Sequence, residues 1–157
     1  MHLYFFRHAE AEDGSATLPD HARQLTKRGV ERTRHAATVL KSLGIKPAQL
    51  YSSPLVRARQ TADILAEALG VTVEERDEVG PGFNTQAIDR LVRDAQNDDE
   101  VMFVGHEPDF SATISALIGG GWVDMKKGGL ARIDLDNTQP LRGMLVWLIA
   151  PKVFDHC

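Results

Sequence analysis

Leu3-Tyr4-Phe5-Phe6-Arg7-His8-Ala9 opens with four apolar residues and no polar alternation. That pattern belongs to a β-strand covered on both faces, and two chemically capable side chains, Arg7 and His8, follow it directly. The same arrangement recurs at Val101-Met102-Phe103-Val104, where a second buried run meets the turn Gly105-His106-Glu107. Between these two runs the apolar spacing changes to helical. Thr26 is placed as an N-cap, Val30, Ala37 and Leu40 share one face from Lys27 to Leu43, and Gly44 supplies the stop. Leu50-Tyr51 reads as a short strand. Ser53-Pro54 then signals a helix start, with Ser53 as cap and Pro54 in the first turn, and Gly70 closes that helix. Its stripe Leu55, Ala58, Ala62, Leu65 and Leu69 is core packing.

The remaining segments complete the alternation. Val71-Thr72-Val73 is strand-like, Asp77 to Asn84 is irregular, Gln86 to Gln96 reads as a helix, and Pro108 opens another that Gly119-Gly120-Gly121 breaks. Ala131–Leu135 and Met144–Ile149 read as two strands joined by a turn around Asn137 to Gly143. Strands alternating with helices predict an α/β fold: three layers, α/β/α, with a mostly parallel central sheet and an antiparallel C-terminal edge. The polar stretch Glu10 to Gln24 is a long loop, of the kind that more often serves a function than fills space.

Composition narrows the class of function. The chain has 157 residues, 43% hydrophobic and 25% charged, which fits one globular domain over residues 1–157. A formal charge of −4 offers no electrostatic case for nucleic acid or an anionic membrane as partner. The one cysteine, Cys157, permits neither an internal disulfide nor a cysteine-based zinc site. No apolar run reaches the roughly 20 residues of a membrane span, and the first residues enter a strand with no secretory leader pattern. The expectation is a soluble, cytoplasmic protein. No metal or organic cofactor is implied, because no carboxylate cluster suggests magnesium and the phosphate-loop pattern GxxxxGK[ST] is absent.

In open α/β sheets ligands bind beyond the carboxyl ends of the strands. That rule gathers Arg7 and His8, Arg57 in the first turn after Ser53-Pro54, and His106 on one rim. Arginine forks match phosphate oxygens, and helix N-termini favour anions, so the set suits a phosphoryl group. A neutral imidazole among arginines can also attack phosphorus, since the neighbouring positive charge disfavours its protonation.

Arg7-His8-Ala9, the string from Ser52 to Ala62, and Val104-Gly105-His106-Glu107 together resemble the histidine phosphatase (phosphoglycerate mutase-like) superfamily. The compact length, the RHA form and Gln24-Leu25-Thr26-Lys27-Arg28-Gly29, close to an RPLTxxG pattern, are similar to its SixA-type phosphohistidine phosphatases. The resemblance spans about residues 2 to 149. It implies a phosphoglycerate mutase-like fold, His8 as the phosphorylated nucleophile, Arg7 and Arg57 holding phosphate, and His106 donating to a phosphoryl oxygen. The chain departs from larger members in two respects. The interval from Arg57 to His106 is too short for their helical insertion, and Glu107 stands where the acid-phosphatase branch has Asp.

An ester leaving group needs a proton, whereas a protonated phosphohistidine ring departs as neutral imidazole. The expected substrate is therefore phosphohistidine on a signalling partner such as the histidine-containing phosphotransfer domain of a relay. The alternative is a small phosphate ester, with Glu78, then Glu107, then Asp13 as the acid. A phosphate-sensing module without turnover is the non-enzymatic reading. Arg23 is a weaker candidate for phosphate binding, against the plainer role of a surface loop arginine. Arg59, His2, His21, His35 and His156 are read as surface residues, and Trp122 and Trp147 as residues of the rim or the core.

Overall fold

The computed structural model describes residues 1–157, apart from the side chains of Asn137 and Thr138. Six strands form one sheet: β1 (His2–Arg7), β2 (Gln49–Ser52), β3 (Val73–Glu75), β4 (Glu100–Gly105), β5 (Leu130–Thr138) and β6 (Leu141–Ile149). Their order is β3-β2-β4-β1-β5-β6. The first four are parallel, and β5 and β6 add the antiparallel edge. Helices α1 (Lys27–Ser42), α2 (Val56–Leu69), α3 (Thr85–Leu91), α4 (Asp109–Leu117) and α5 (Pro151–Phe154) cover both faces.

The apolar runs explain the layering. Leu3 and Phe5 of β1, with Val101 and Phe103 of β4, meet Ile88, Phe110 and Ile114 from α3 and α4. Tyr4, Phe6, Met102 and Val104 point the other way, onto Leu40 of α1 and Ala58, Ala62 and Leu65 of α2. Each large apolar side chain so buried contributes about 1.5–3 kcal/mol. Both faces need cover, and that is why these strands carry no polar alternation.

The helix signals hold at α1, where Thr26 Oγ1 accepts the Gly29 N–H at 3.0 Å. They hold again at the end of α2, where Gly70 is left-handed with φ 71°. Four boundaries differ from the sequence reading. First, α2 begins at Val56, because Ser53 N–H still extends the sheet ladder to Val104 O at 3.0 Å and Leu55 becomes the N-cap. Second, β3 starts at Val73, since Val71 N–H is held by Ala66 O at the helix end. Third, α3 stops at Leu91 instead of Gln96, where the chain turns and buries Val92 against the core. Fourth, β5 and β6 run through Asn137 and Gly143 and leave only Gln139-Pro140 between them. The short helix α5 went unforeseen, and its Phe154 packs into the core on the α1 side.

Candidate active site

The parallel strands end together, and the ladder runs one residue past each end. His8 N–H bonds to Gly105 O at 3.0 Å, as Ser53 N–H does to Val104 O. Arg7 is held from the other side as well, with its N–H on Gly129 O at 3.0 Å. Backbone hydrogen bonds therefore fix Arg7, His8, Ser53 and His106 along one rim. Arg57 comes from the first turn of α2. That helix is tied to the rim by Thr61, whose Oγ1 accepts the Ala9 N–H at 3.2 Å, and to the following loop by Gln60, whose Oε1 accepts the Leu25 N–H at 2.8 Å.

The sequence-predicted core of the site is assembled. His8, Arg57 and His106 are all buried, at 5%, 6% and 6% exposure. Arg57 Nε donates to His8 Nε2 at 3.3 Å, and the two imidazole rings lie 5.2 Å apart between centroids. His8 Nδ1 bonds to the Ala9 carbonyl at 2.8 Å. A carbonyl only accepts, so Nδ1 carries the proton and Nε2 keeps its lone pair. Burial pushes the His8 pKa down to about 3, with the charges of His106, Arg57 and Arg7 acting in the same direction and the Ala9 bond opposing. Burial and then Arg57 lower His106 to about 4. Both rings are neutral near pH 7.

His106 Nε2 pairs with Ser53 Oγ at 2.7 Å, while Ser53 Oγ also accepts the Leu55 N–H at 3.3 Å. Arg7 Nη1 donates to Met125 O at 2.6 Å. Two buried polar atoms of the site, Arg7 Nε and His106 Nδ1, have no hydrogen-bond partner among the described residues. An unpaired buried polar atom costs about 1–3 kcal/mol, which an oxygen-rich anion set between them would recover. With guanidinium charge on two sides, the pocket is built for an oxyanion and holds an unprotonated nitrogen at its base.

The weaker candidates fare differently. Arg23 lies at the pocket's edge and is engaged there: Nη1 donates to Asp20 Oδ1 at 2.8 Å and Nε to Glu12 O at 2.5 Å. Glu107 turns onto the start of α4, where it accepts both the hydroxyl and, at 3.1 Å, the backbone N–H of Ser111. Its carboxylate is thus occupied as a helix cap. Glu78 sits half-buried in the turn Asp77–Val79, which packs against Gly105 and Ser53 through Val79 O and Gly80. Asp13 is exposed in the long loop. Arg59 pairs with Asp63 and Glu75 outside the site. His2 is half-buried, bonded to Asp134 at 2.8 Å, and not a free surface residue. Trp122 is fully exposed, and Trp147 packs on Tyr4.

Two residues at the site were not singled out by sequence. Ser53 reads there only as a helix cap, although its place in the Ser52–Ala62 string was a usable signal. Asp20, which bonds Arg57 through Oδ2 at 3.0 Å and through its carbonyl at 2.7 Å, carries no sequence signal beyond lying in the long loop. A cavity of about 820 Å³ beside Arg90, Arg93, Pro140 and Arg142 lies at the tip of the β5–β6 hairpin and includes none of these groups. Among the described residues there is no cluster of metal-ligating side chains, and no helix is long and apolar enough to cross a membrane.

Residues 3–80 match a family model described as histidine phosphatase superfamily (branch 1). That range carries Arg7, His8, Arg23, Ser53 and Arg57, and His106 lies beyond it. An uncharacterized protein of Picosynechococcus sp. is 36% identical over 136 residues, 83% of this chain and 82% of that protein. A putative phosphohistidine phosphatase SixA from Agrobacterium tumefaciens is 27% identical, with a TM-score of 0.78 over 96% of this chain and 98% of its own. The protein histidine phosphatase SixA complexed with tungstate is 23% identical and shares the fold, with a TM-score of 0.85 over 98% of this chain and 99% of its own. The phosphoglycerate mutase-like fold expected from the motifs is the fold observed.

Proposed function

The chain belongs to the histidine phosphatase superfamily, branch 1, and from that premise we propose that it is a metal-independent phosphatase that removes phosphate from phosphohistidine on a protein, through a phosphoryl group carried on His8. The observation that supports it best is the set of neutral and unpaired atoms around one point. His8 Nε2 is unprotonated, and Arg7 Nε and His106 Nδ1 are buried without partners.

In the first step His8 Nε2 bonds to phosphorus as the bond to the leaving group breaks. Ala9 O steadies the positive charge that develops on the ring through Nδ1–H. Arg7 and Arg57 face the equatorial oxygens, where the transition state concentrates negative charge. Ser53 Oγ–H donating to His106 Nε2 puts the His106 proton on Nδ1, where it serves as a further donor to the phosphoryl group. In the second step water attacks phosphorus, the P–N bond breaks, and His8 returns as a neutral ring with release of phosphate.

A phosphohistidine whose ring is protonated leaves as neutral imidazole and needs no acid from the enzyme. This suits a site whose nearest following carboxylate, Glu107, is engaged with Ser111. The test is phosphate release from a phosphohistidine-bearing phosphotransfer domain beside a panel of small phosphate esters. Protein-borne phosphohistidine is expected to be preferred by orders of magnitude in kcat/KM. A small ester preferred instead would overturn the substrate assignment and make Glu78 the residue to replace.

A further inference from the structure

Asp20 has no part in the steps above, yet its carboxylate stands between two arginines of the pocket. Oδ2 accepts from Arg57 Nη2 at 3.0 Å, Oδ1 accepts from Arg23 Nη1 at 2.8 Å, and the Asp20 carbonyl takes Arg57 Nη1 at 2.7 Å. A guanidinium has two usable edges. The terminal Nη1/Nη2 edge of Arg57 is occupied by Asp20, and its Nε edge faces His8 Nε2 at 3.3 Å. The Arg57 side chain is 8% exposed, whereas that of Asp20 is 64% exposed, so the negative charge stands at the mouth and the positive charge inside. The hydrogen bond from Arg23, opposed by burial and reinforced by the hydrogen bond and charge of Arg57, holds the Asp20 carboxyl below its ordinary range.

A phosphoryl group on His8 meets the Nε edge of Arg57. A carboxylate borne on the same leaving group, a few bonds away, would seek further cationic edges beside that one, among them Arg57 Nη and Arg23 Nη1. Asp20 already fills both, and its charge repels a second anion. We propose that Asp20 is a specificity-determining residue, an internal carboxylate that pre-empts these edges and selects for phosphoryl donors with an uncharged leaving group, such as an imidazole, over donors with a neighbouring carboxylate. This deepens the phosphatase reading and rests on it.

The matched probes are 3-phosphoglycerate and glycerol 3-phosphate, which share a three-carbon skeleton and differ in a carboxylate against a hydroxymethyl group. Their kcat/KM ratio is compared in the wild type, Asp20→Asn and Asp20→Ala. Both variants keep the backbone carbonyl bond to Arg57, and Asn keeps a side-chain acceptor without the charge. The expected result is a shift of about tenfold toward 3-phosphoglycerate in both, the size of one screened charge contact. A ratio that stays within about twofold, or an equal loss on both substrates, would overturn the proposal. Calorimetric titration of the same two compounds separates this from the phosphatase reading. A shifted binding ratio without turnover by any form supports Asp20 while refuting the phosphatase. Turnover of phosphohistidine with an unmoved ratio refutes Asp20 alone.

Discussion

The carbonyl of Ala9 accepts a hydrogen bond from His8 Nδ1–H and so leaves Nε2 as the unprotonated ring nitrogen. Burial then keeps the ring uncharged, with a folded pKa of about 3 against an unfolded value near 6.5, and His106 at about 4 behaves alike. The unfolded chain therefore binds more protons than the folded one below pH 6.5, and stability is lost as pH falls from 6.5 toward 4. The slope is up to about 1.4 kcal/mol per pH unit for each histidine. Urea midpoints measured from pH 7 to 4.5 should fall accordingly, and His8→Asn should flatten the fall. An unchanged slope in that variant would refute the depressed His8 pKa. Ser53→Ala leaves His106 Nε2 without its partner, an effect of about 1–3 kcal/mol. It should appear mainly in kcat, as a loss of about ten- to a hundredfold, and steady-state kinetics decide it. Arg7, His8, Arg57 and His106 could be read from sequence because each follows a strand end or opens a helix. Asp20 could not, because its position depends on how an irregular loop folds back over α2.

At the scale of elements, the segment Leu25-Thr26-Lys27-Arg28-Gly29 acquires a physical explanation. Thr26 caps α1, and Gly29 lets its first turn approach the chain around Glu10: a Cβ there would lie 2.1 Å from the Glu10 carbonyl oxygen. Gly29→Ala must push α1 away from backbone that cannot yield, at a cost of about 1–3 kcal/mol. Thermal unfolding should reveal it, and a Tm equal to the wild type would show that the approach is not tight. Cap, stop and buried-strand signals lie within a few residues, so α1, β1 and β4 were legible. The start of α2 and the end of α3 were not. A ladder bond from Ser53 to Val104 sets the first, and burial of Val92 sets the second. Both depend on partners far away in sequence.

Across the whole molecule, four parallel strands bring their ends to one rim, while the antiparallel pair β5–β6 forms one edge of the sheet and Gly129, just before β5, accepts the Arg7 N–H. Guanidinium groups from β1 and α2 provide the positive charge that a metal supplies in other phosphoryl-transfer sites. Phosphatase activity should therefore persist, within about twofold, after dialysis against a chelator. A loss restored by added divalent ion would refute metal independence. The central claim is the covalent step on His8, and the most direct measurement is rapid alkaline quenching of the enzyme with a phosphoryl donor, followed by mass spectrometry. The account predicts one phosphoryl group on His8, labile to acid and stable to base, and none in His8→Ala, with turnover reduced by about three orders of magnitude or more. Phosphate at another residue, or His8→Ala turning over at the wild-type rate, would contradict it.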